Sequence, residues 1–274
     1  MSTLQEMLTF GGGSFVRAEQ ICLDFITKGN SDLYLDLALL LHAQGKIIGA
    51  KQAGAEYIKL FPDCPRGKLA ESWFKFYDGD LNAAWDHFDF SRLVGTLKKT
   101  FPFDKPRWTG ADVNGKDILL IGEGGFGDQC LGLRSASFLS NKGARVITSC
   151  SKGLMNLFSK AKGVYGVIEI DNEDHVPFDI WIPTFSSFRH CGLTWDTLYP
   201  GQYIQPIGNG VLWERIIPKS NIPNIGLRWR GNPKYEHEQF RVFPVELMFN
   251  AVKDIKANFY SLQKDDHTTE ASKN

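Results

Sequence analysis

The chain has 274 residues, of which 43% are hydrophobic, and its 31 Lys and Arg residues balance its 31 Asp and Glu residues to a formal net charge of zero. This length is enough for about two domains with hydrophobic cores, and the composition excludes a chain that is disordered throughout. Because binding to nucleic acid or to an anionic membrane needs an excess of cationic side chains, the zero net charge argues against both kinds of partner.

The N-terminal residues and the cysteines indicate where the protein resides. Residues 1–7 lack the basic stretch and apolar run of a secretory signal, and the apolar run Leu37–Leu41 is far too short to span a bilayer. The five cysteines are scattered and form no Cys-x-x-Cys pair, which argues against a disulfide framework or a zinc site. We therefore expect a cytoplasmic protein with no transmembrane segment.

The first hundred residues predict helices. The leucine-rich segment 31–45 predicts a buried helix ending near Gly45, and the segment 46–60 predicts its partner before Pro62. A second pair of helices is predicted at 69–77 and 81–90, and one further helix is predicted at 15–28. We expect these segments to form one helical domain over residues 1–104.

The two helix pairs are related by a fixed period. The interval from Gly45 to Gly79 is the same as the interval from Ala50 to Ala84. Glycine suits the turn of a helical hairpin, and a small residue suits the place where its two helices touch. The spacing therefore resembles that of the tetratricopeptide repeat, whose period is about 34 residues. The alternative is an irregular helical domain in which the spacing is a coincidence.

A change of pattern follows Pro102, Pro106 and the turn-prone segment 109–115. Strands are predicted at 117–122, 144–150, 165–170 and 178–182, with helices between them at 129–139 and 154–161. Such alternation predicts an α/β domain, here over residues 105–220, with a mainly parallel sheet covered on both faces. A second alternation of strands and helices, the start of another Rossmann-like domain, is predicted in residues 221–274. Its strands are predicted at 224–229 and 258–262, and its helix at 244–255.

The segment 122–128, Gly-Glu-Gly-Gly-Phe-Gly-Asp, lies between the first predicted strand and the first predicted helix of this domain. It contains a GxGxxG pattern, in which glycines let a ligand approach the backbone and the helix start offers N–H groups to an anion. A dinucleotide site also needs an acidic residue at the end of the second strand, where Thr148-Ser149-Cys150 stands instead. The same absence weakens a methyltransferase interpretation and leaves a tight turn without a ligand as a further alternative.

Asp128, at the exit of this glycine loop, has two possible roles. A carboxylate there can stabilise the start of the helix by accepting backbone N–H groups. However, open α/β sheets bind ligands at the carboxyl ends of their strands, where a carboxylate can accept a proton from an incoming hydroxyl. The spacing alone leaves both roles open.

An ordered set of motifs carries a family resemblance from about Lys105 to the end of the chain. The motifs are Pro106-Arg-Trp-Thr-Gly110, Gly115-Lys-Asp-Ile-Leu-Leu-Ile-Gly-Glu123, Gly125-Phe-Gly-Asp128, Gly226-Leu-Arg-Trp-Arg-Gly-Asn-Pro233, Arg241-Val-Phe-Pro244 and Tyr260-Ser-Leu-Gln-Lys264. Together they resemble a bacterial and phage group of tetratricopeptide-repeat proteins that carry a glycosyltransferase domain. This group is related to the lipopolysaccharide heptosyltransferases and, more distantly, to the O-linked N-acetylglucosamine transferases.

The resemblance implies a GT-B architecture, in which two Rossmann-like domains face each other across a cleft that binds a nucleotide-sugar donor. The implied reaction is an inverting sugar transfer, without a metal or other cofactor, to a glycan, protein or lipid-linked acceptor. The repeats would recruit a protein or glycan acceptor. Asp128 matches the general base of the heptosyltransferases. The residues implied in binding the donor or its phosphates are Gly125, Gly127, Gln129, Asn232, Arg241 and Lys264.

The chain departs from the family pattern at three places, which leaves the identity of the donor open. This chain has Gly124 where the family commonly has a glutamine, and Gln129 where the family has a small hydroxyl residue. It has Gln239-Phe240 in place of the family's pair of an acidic residue and an arginine. A complete second domain would also need roughly 100 more residues, so we expect a donor domain that is truncated in this chain and glycosyltransferase activity where that domain is completed. The alternative function is a non-catalytic binding module, and a third is a nucleotide-dependent enzyme unrelated to sugars.

Overall fold

The computed structural model describes residues 12–94, 101, 103–197, 201–205, 208, 211–231 and 244–263. By its internal contacts the chain divides into two compact units, Met1–Ile207 and Gly208–Asn274. The helical region and the main sheet, which the sequence predicts as separate domains, fall within the first unit.

Helices form the first part of unit 1. They are α1 (Phe15–Thr27), α2 (Tyr34–Ala43), α3 (Ile47–Leu60), α4 (Pro65–Tyr77) and α5 (Leu81–Val94). The α4 helix begins earlier than the sequence pattern predicts because Pro65 occupies its first turn, where a residue without an N–H group costs no hydrogen bond.

The helical hairpins α2–α3 and α4–α5 share one spacing between their second helices and between the glycines that precede those helices. The first and last residues of α5 lie as many positions after those of α3 as Gly79 lies after Gly45. Gly45 lies in the turn before α3 and has a φ of 73°, and Gly79 lies in the turn before α5 and has a φ of 77°. Ala50 and Ala84, at equivalent places, are both fully buried. The glycines therefore make equivalent left-handed turns, and the alanines lie at equivalent buried positions.

A parallel sheet forms the second part of unit 1, which confirms the α/β prediction. Among the described residues of this unit, its strands are β1 (Asp117–Ile121), β2 (Arg145–Cys150), β3 (Val164–Glu169) and β4 (Ile180–Pro183), in the order β3-β2-β1-β4. The helices α6 (Phe126–Gly132) and α7 (Arg134–Asn141) follow β1, α8 (Met155–Phe158) follows β2, and α9 (Thr184–Cys191) follows β4. Single 3₁₀ turns lie at Ser31–Leu33, Lys152–Leu154 and Glu173–His175.

Both faces of the sheet are covered by apolar side chains. Successive residues of a strand point to opposite faces, so Ile118 and Leu120 of β1 enter a different cluster from Leu119 and Ile121. The first cluster includes residues of α7, α8 and α9, whereas the second contains Phe178 and Trp181. This two-sided burial explains why β1 is a continuous apolar run.

The helical hairpins pack directly on the α/β part. The ring of Trp85 on α5 lies 5.0 Å from the ring of Phe188 on α9. Beside this contact, the buried carboxylate of Asp89 accepts a hydrogen bond of 2.7 Å from Arg107, and Arg189 pairs with Asp86 at 2.5 Å. Aromatic packing and ion pairs therefore hold α5 against α9 and the segment that leads into β1.

Unit 2 contains α10 (Val211–Ile216), β5 (Asn224–Leu227), α11 (Val245–Val252) and β6 (Asn258–Ser261). The two strands pair in parallel, with Asn224 opposite Asn258 and Leu227 opposite Ser261. The strand–helix–strand order agrees with the predicted second alternation of strands and helices, although each element is shorter than predicted.

None of the helices in the described part of the chain combines the length and the apolar character that crossing a bilayer requires.

Candidate functional site

The topology of the sheet places a crevice beside the glycine loop. From β1 the chain moves to β2 and β3 on one side, and it then returns to β4 on the other side of β1. The loops that follow β1 and β4 therefore leave adjacent strands at the point where the strand order reverses. Open α/β sheets bind their ligands at this switch point, outside the carboxyl ends of the strands.

A cavity of about 540 Å³ lies at this switch point and extends to the helical hairpins. We call it the aromatic cavity, because most of its lining side chains are aromatic. On the helical side the lining residues are Trp73, Phe76, Leu81, Trp85 and Phe88. On the α/β side they are Gly124, Asp128 and Leu131 after β1, and Phe185, Phe188, Leu193 and Trp195 after β4.

Asp128 is the one charged residue in this lining, counted over the residues that the structure describes. It is exposed, and its Oδ2 atom accepts a hydrogen bond of 2.8 Å from the amide of Gly125, the residue that precedes α6. This bond orients the carboxylate at the cavity wall. Both roles that the sequence leaves open for Asp128 are therefore compatible with its position, since it stabilises the helix start and also lines the cavity.

Gly124 makes the turn that brings the loop back over Asp128. Its φ is +68°, and a Cβ atom at this position would lie 2.6 Å from Oδ2 of Asp128. A residue with a side chain, such as glutamine, would therefore meet both backbone strain and a steric clash in this arrangement. The backbone conformation and the closeness of Asp128 therefore explain why a glycine occupies this position.

Gln129 is buried, with 2% of its surface exposed, and its side chain is engaged inside the protein. The Nε2 group donates to the carbonyl of Gly124 at 3.0 Å and to the hydroxyl of Ser151 at 2.9 Å. The Oε1 atom accepts the backbone N–H of Ser151 at 2.8 Å. These bonds use both amide hydrogens to fasten the glycine loop to the end of β2, so this arrangement offers neither hydrogen to a ligand.

The other positions that the sequence predicts as donor-binding divide into two groups. Gly125 and Gly127 lie with Asp128 at the start of α6, where the Gly125 amide already donates to the carboxylate. Asn232, Arg241 and Lys264 lie outside the described residues. The structure thus brings together Gly125, Gly127, Asp128 and Gln129.

Several residues of the site are missed by the sequence analysis. Helix α9 supplies Phe185 and Phe188 to the cavity, and Glu123 holds the start of this helix by accepting the Phe185 amide at 3.1 Å. The spacing of three residues between the phenylalanines, followed by Gly192 at the helix end, is a helix signal that could have located them.

The described residues contain no group of three or more His, Cys, Asp or Glu side chains that could hold a metal ion. Two cysteines of the α/β part are poor nucleophiles, because burial raises the pKa of Cys150 to about 11 and that of Cys191 to about 12. Among the described lining residues, Asp128 is the one that offers a carboxylate as a proton acceptor.

We compared the chain with protein-family models, with curated proteins and with solved structures, and none of them matches it.

Proposed function

We propose that this chain is a glycosyltransferase-like protein of GT-B type, preceded by tetratricopeptide-type repeats, that transfers a sugar with inversion from a nucleotide-sugar donor. The acceptor supplies a hydroxyl group, and Asp128 is the general base that takes its proton. The observation that carries the proposal is the position of Asp128, whose carboxylate lines a ligand-sized cavity at the switch point of a parallel sheet.

Two features of the fold support the wider assignment. The strand order β3-β2-β1-β4 is that of the first strands of a doubly wound Rossmann-like sheet. The helical hairpins repeat with glycine at equivalent turns, and their interval matches the tetratricopeptide period of about 34 residues. Both features agree with the family that the sequence motifs resemble.

The reaction requires a proton acceptor beside the attacking hydroxyl. As the hydroxyl oxygen bonds to the anomeric carbon, the bond from that carbon to the nucleoside diphosphate breaks and its electron pair leaves with the diphosphate. The hydroxyl proton passes to the Asp128 carboxylate, which Gly125 holds in place. A positioned general base of this kind accelerates a reaction by about 10²–10⁴-fold.

The donor diphosphate needs cationic partners, because negative charge accumulates on it as it leaves. Among the described residues that line the aromatic cavity, none is cationic. We therefore assign the cavity to the acceptor side and keep Arg241, Lys264 and Asn232 as the proposed donor-binding residues.

The test is the Asp128→Asn variant. The asparagine oxygen can still accept the Gly125 amide, so the loop geometry is kept while the base is lost. We expect the release of nucleoside diphosphate from a panel of UDP- and ADP-sugars to fall about 10²–10⁴-fold, with the donor-induced shift in Tm unchanged. Asp174→Asn, which removes an exposed carboxylate outside the cavity lining, is the matched control and should retain full activity.

The outcomes separate the proposal from its main alternative. Equal turnover by wild type and Asp128→Asn would remove the general-base role. If the folded wild-type protein neither binds nor cleaves any nucleotide sugar, the non-catalytic binding module becomes the better assignment. The absence of a cationic side chain among the described lining residues is the observation that favours this second candidate.

A further inference from the structure

The aromatic cavity exposes large indole rings that a protein normally covers. Trp73 and Trp195, which both line the cavity, have 53% and 62% of their surface exposed. Apolar surface gathered in a concave site marks a place where a ligand is bound, and a volume of about 540 Å³ lies in the range that accommodates small organic molecules.

The charge of the lining restricts the kind of ligand. With Asp128 as the one charged side chain among the described lining residues, the cavity disfavours a phosphate, a carboxylate or another anion. The ligand that enters is therefore neutral or cationic at the end that meets Asp128.

The shortage of polar partners restricts the ligand further. Apart from Asp128 and the backbone of Gly124, the described lining consists of aromatic and aliphatic residues, whose polar groups are the indole N–H groups of three tryptophans. One of these, the N–H of Trp195, already donates to the carbonyl of Gly79 at 3.2 Å. A sugar in this cavity would leave several hydroxyls without hydrogen-bond partners, which costs free energy for each buried group. The lining instead suits a molecule with an apolar body and a single polar group.

The walls of the cavity are held rigidly, so its shape exists before a ligand arrives. Trp85 stacks against Phe185 with an interplanar angle of 14° and meets Phe188 edge to face. Phe188 is in turn buried in the main core of the α/β part. Such preorganised rings pack well against the face or edge of another aromatic ring.

We propose that the aromatic cavity binds the acceptor, and that this acceptor is an apolar alcohol with an aromatic body, a phenol-type molecule. This inference rests on the proposed function, in which Asp128 takes the proton from the acceptor hydroxyl. The aromatic body lies between Trp73 of the helical hairpin and Trp195 of the α/β part, and its hydroxyl meets Asp128. The O–H proton passes to the carboxylate, the oxygen bonds to the anomeric carbon, and the electron pair of the broken bond leaves with the nucleoside diphosphate.

The closing experiment measures the binding of 2-naphthol to the full chain by calorimetry, together with two matched probes. The first, 2-methylnaphthalene, lacks the hydroxyl, and the second, 2-naphthoate, replaces it with an anion. We expect 2-naphthol to bind at least about tenfold more tightly than either probe, since only its hydroxyl can donate to Asp128.

Single tryptophan variants locate the site. Trp73→Ala and Trp195→Ala should each weaken 2-naphthol binding about tenfold or more, as the loss of an aromatic anchor does at other binding sites. Both side chains are more than half exposed, so the fold should be retained. Trp213→Ala, which removes an equally exposed tryptophan of unit 2, is the matched control and should leave the affinity unchanged.

The outcomes distinguish this inference from the proposed function. Unchanged affinity in both cavity variants, or tighter binding of 2-naphthoate or of benzyltrimethylammonium than of 2-naphthol, overturns the inference, whereas nucleotide-sugar turnover that depends on Asp128 would still stand. Conversely, tryptophan-dependent binding of 2-naphthol without transfer from any UDP- or ADP-sugar supports the ligand class and overturns the transferase.

Discussion

Gln129 is the residue that joins the glycine loop to the rest of the sheet. Its buried amide contacts Gly124 on one side and Ser151, just after β2, on the other. The loop carries Asp128, so the direction of the carboxylate depends on this amide. We therefore expect Gln129 to act as a positioning residue and not as a ligand to the donor.

The substitution Gln129→Leu tests this role through stability. Leucine keeps the apolar volume but leaves the N–H of the half-buried Ser151 and the carbonyl of the exposed Gly124 without the amide that they bind. An unsatisfied group costs about 1–3 kcal/mol where water is excluded and less where water can replace the lost partner, so we expect the free energy of unfolding, measured with urea, to fall by about 1–2 kcal/mol. Gln20→Leu, which removes an exposed amide paired with Asp24, should change it by less than about 0.5 kcal/mol. An equal effect of both variants would contradict the positioning role.

At the residue scale, the position of Asp128 follows from its local sequence, whereas the contacts of Gln129 do not. Asp128 follows a strand and a glycine loop, and this local order is enough to place a carboxylate at the mouth of the sheet. The partner of Gln129 is Ser151, which is distant in the sequence, and nothing in either neighbourhood indicates that they meet. The same holds for the exposed Trp73 and Trp195, because only the packed structure brings them to one cavity.

At the element scale, the sequence predicts helices whose apolar residues recur and misses α9, three of whose five buried residues are polar. The hairpin turns are signalled by Gly45 and Gly79, and both glycines adopt positive φ. In helix α9, two fully buried positions in succession, Ser186 and Ser187, carry polar instead of apolar residues. The hydroxyl of Ser187 donates to the carbonyl of Thr184 inside its own helix, so it can be buried without an external partner. A hydropathy pattern cannot recognise such residues as part of a core.

Gly45 and Gly49, four residues apart, provide a paired test of the hairpin turn. Gly45 has a φ of +73°, so Gly45→Ala places a side chain in a left-handed backbone conformation and should destabilise unit 1 by about 1–2 kcal/mol. Gly49 lies inside α3, where an alanine Cβ would be 3.4 Å from Leu41, and Gly49→Ala should stabilise the unit by up to about 1 kcal/mol.

The measurement is the urea midpoint of each variant against wild type, with the slope of the transition checked for constancy. Opposite signs are expected for the two substitutions. Unchanged or higher stability of Gly45→Ala would mean that the turn does not require the left-handed conformation at Gly45.

At the scale of the whole molecule, the helical hairpins and the sheet belong to one compact unit. The prolines at 102 and 106 predict a boundary between domains, but they carry no information about how closely the two parts pack. Trp85 and a group of charged side chains make the contact between the two parts. The ring of His190 lies beside this group and packs against the ring of Trp108. Burial lowers the pKa of His190, so this side chain favours the neutral state within the packed group.

Asp89 holds this contact through its charge, because its carboxylate is 1% exposed and faces two arginines. One oxygen accepts a hydrogen bond of 2.7 Å from Arg107, and the other lies 3.7 Å from Nη1 of Arg189. Removal of one partner from a buried pair typically costs about 3–5 kcal/mol, because the remaining charge is left without compensation. Asp89→Asn should therefore strongly reduce the free energy of unfolding of unit 1.

The exposed neighbour Asp86 provides the control for Asp89→Asn. It pairs with Arg189 at the surface, where an ion pair contributes at most about 1 kcal/mol, so Asp86→Asn should have a small effect.

Chemical unfolding followed by both tryptophan fluorescence and circular dichroism should give coincident transitions for unit 1 in the wild type. Because Asp89 acts across the contact between helices and sheet, its loss should move the midpoints of both signals together. A variant in which the two midpoints separate would show that unit 1 no longer unfolds as one, and the aromatic cavity would then lack the packed walls that selective binding of a phenol-type ligand requires.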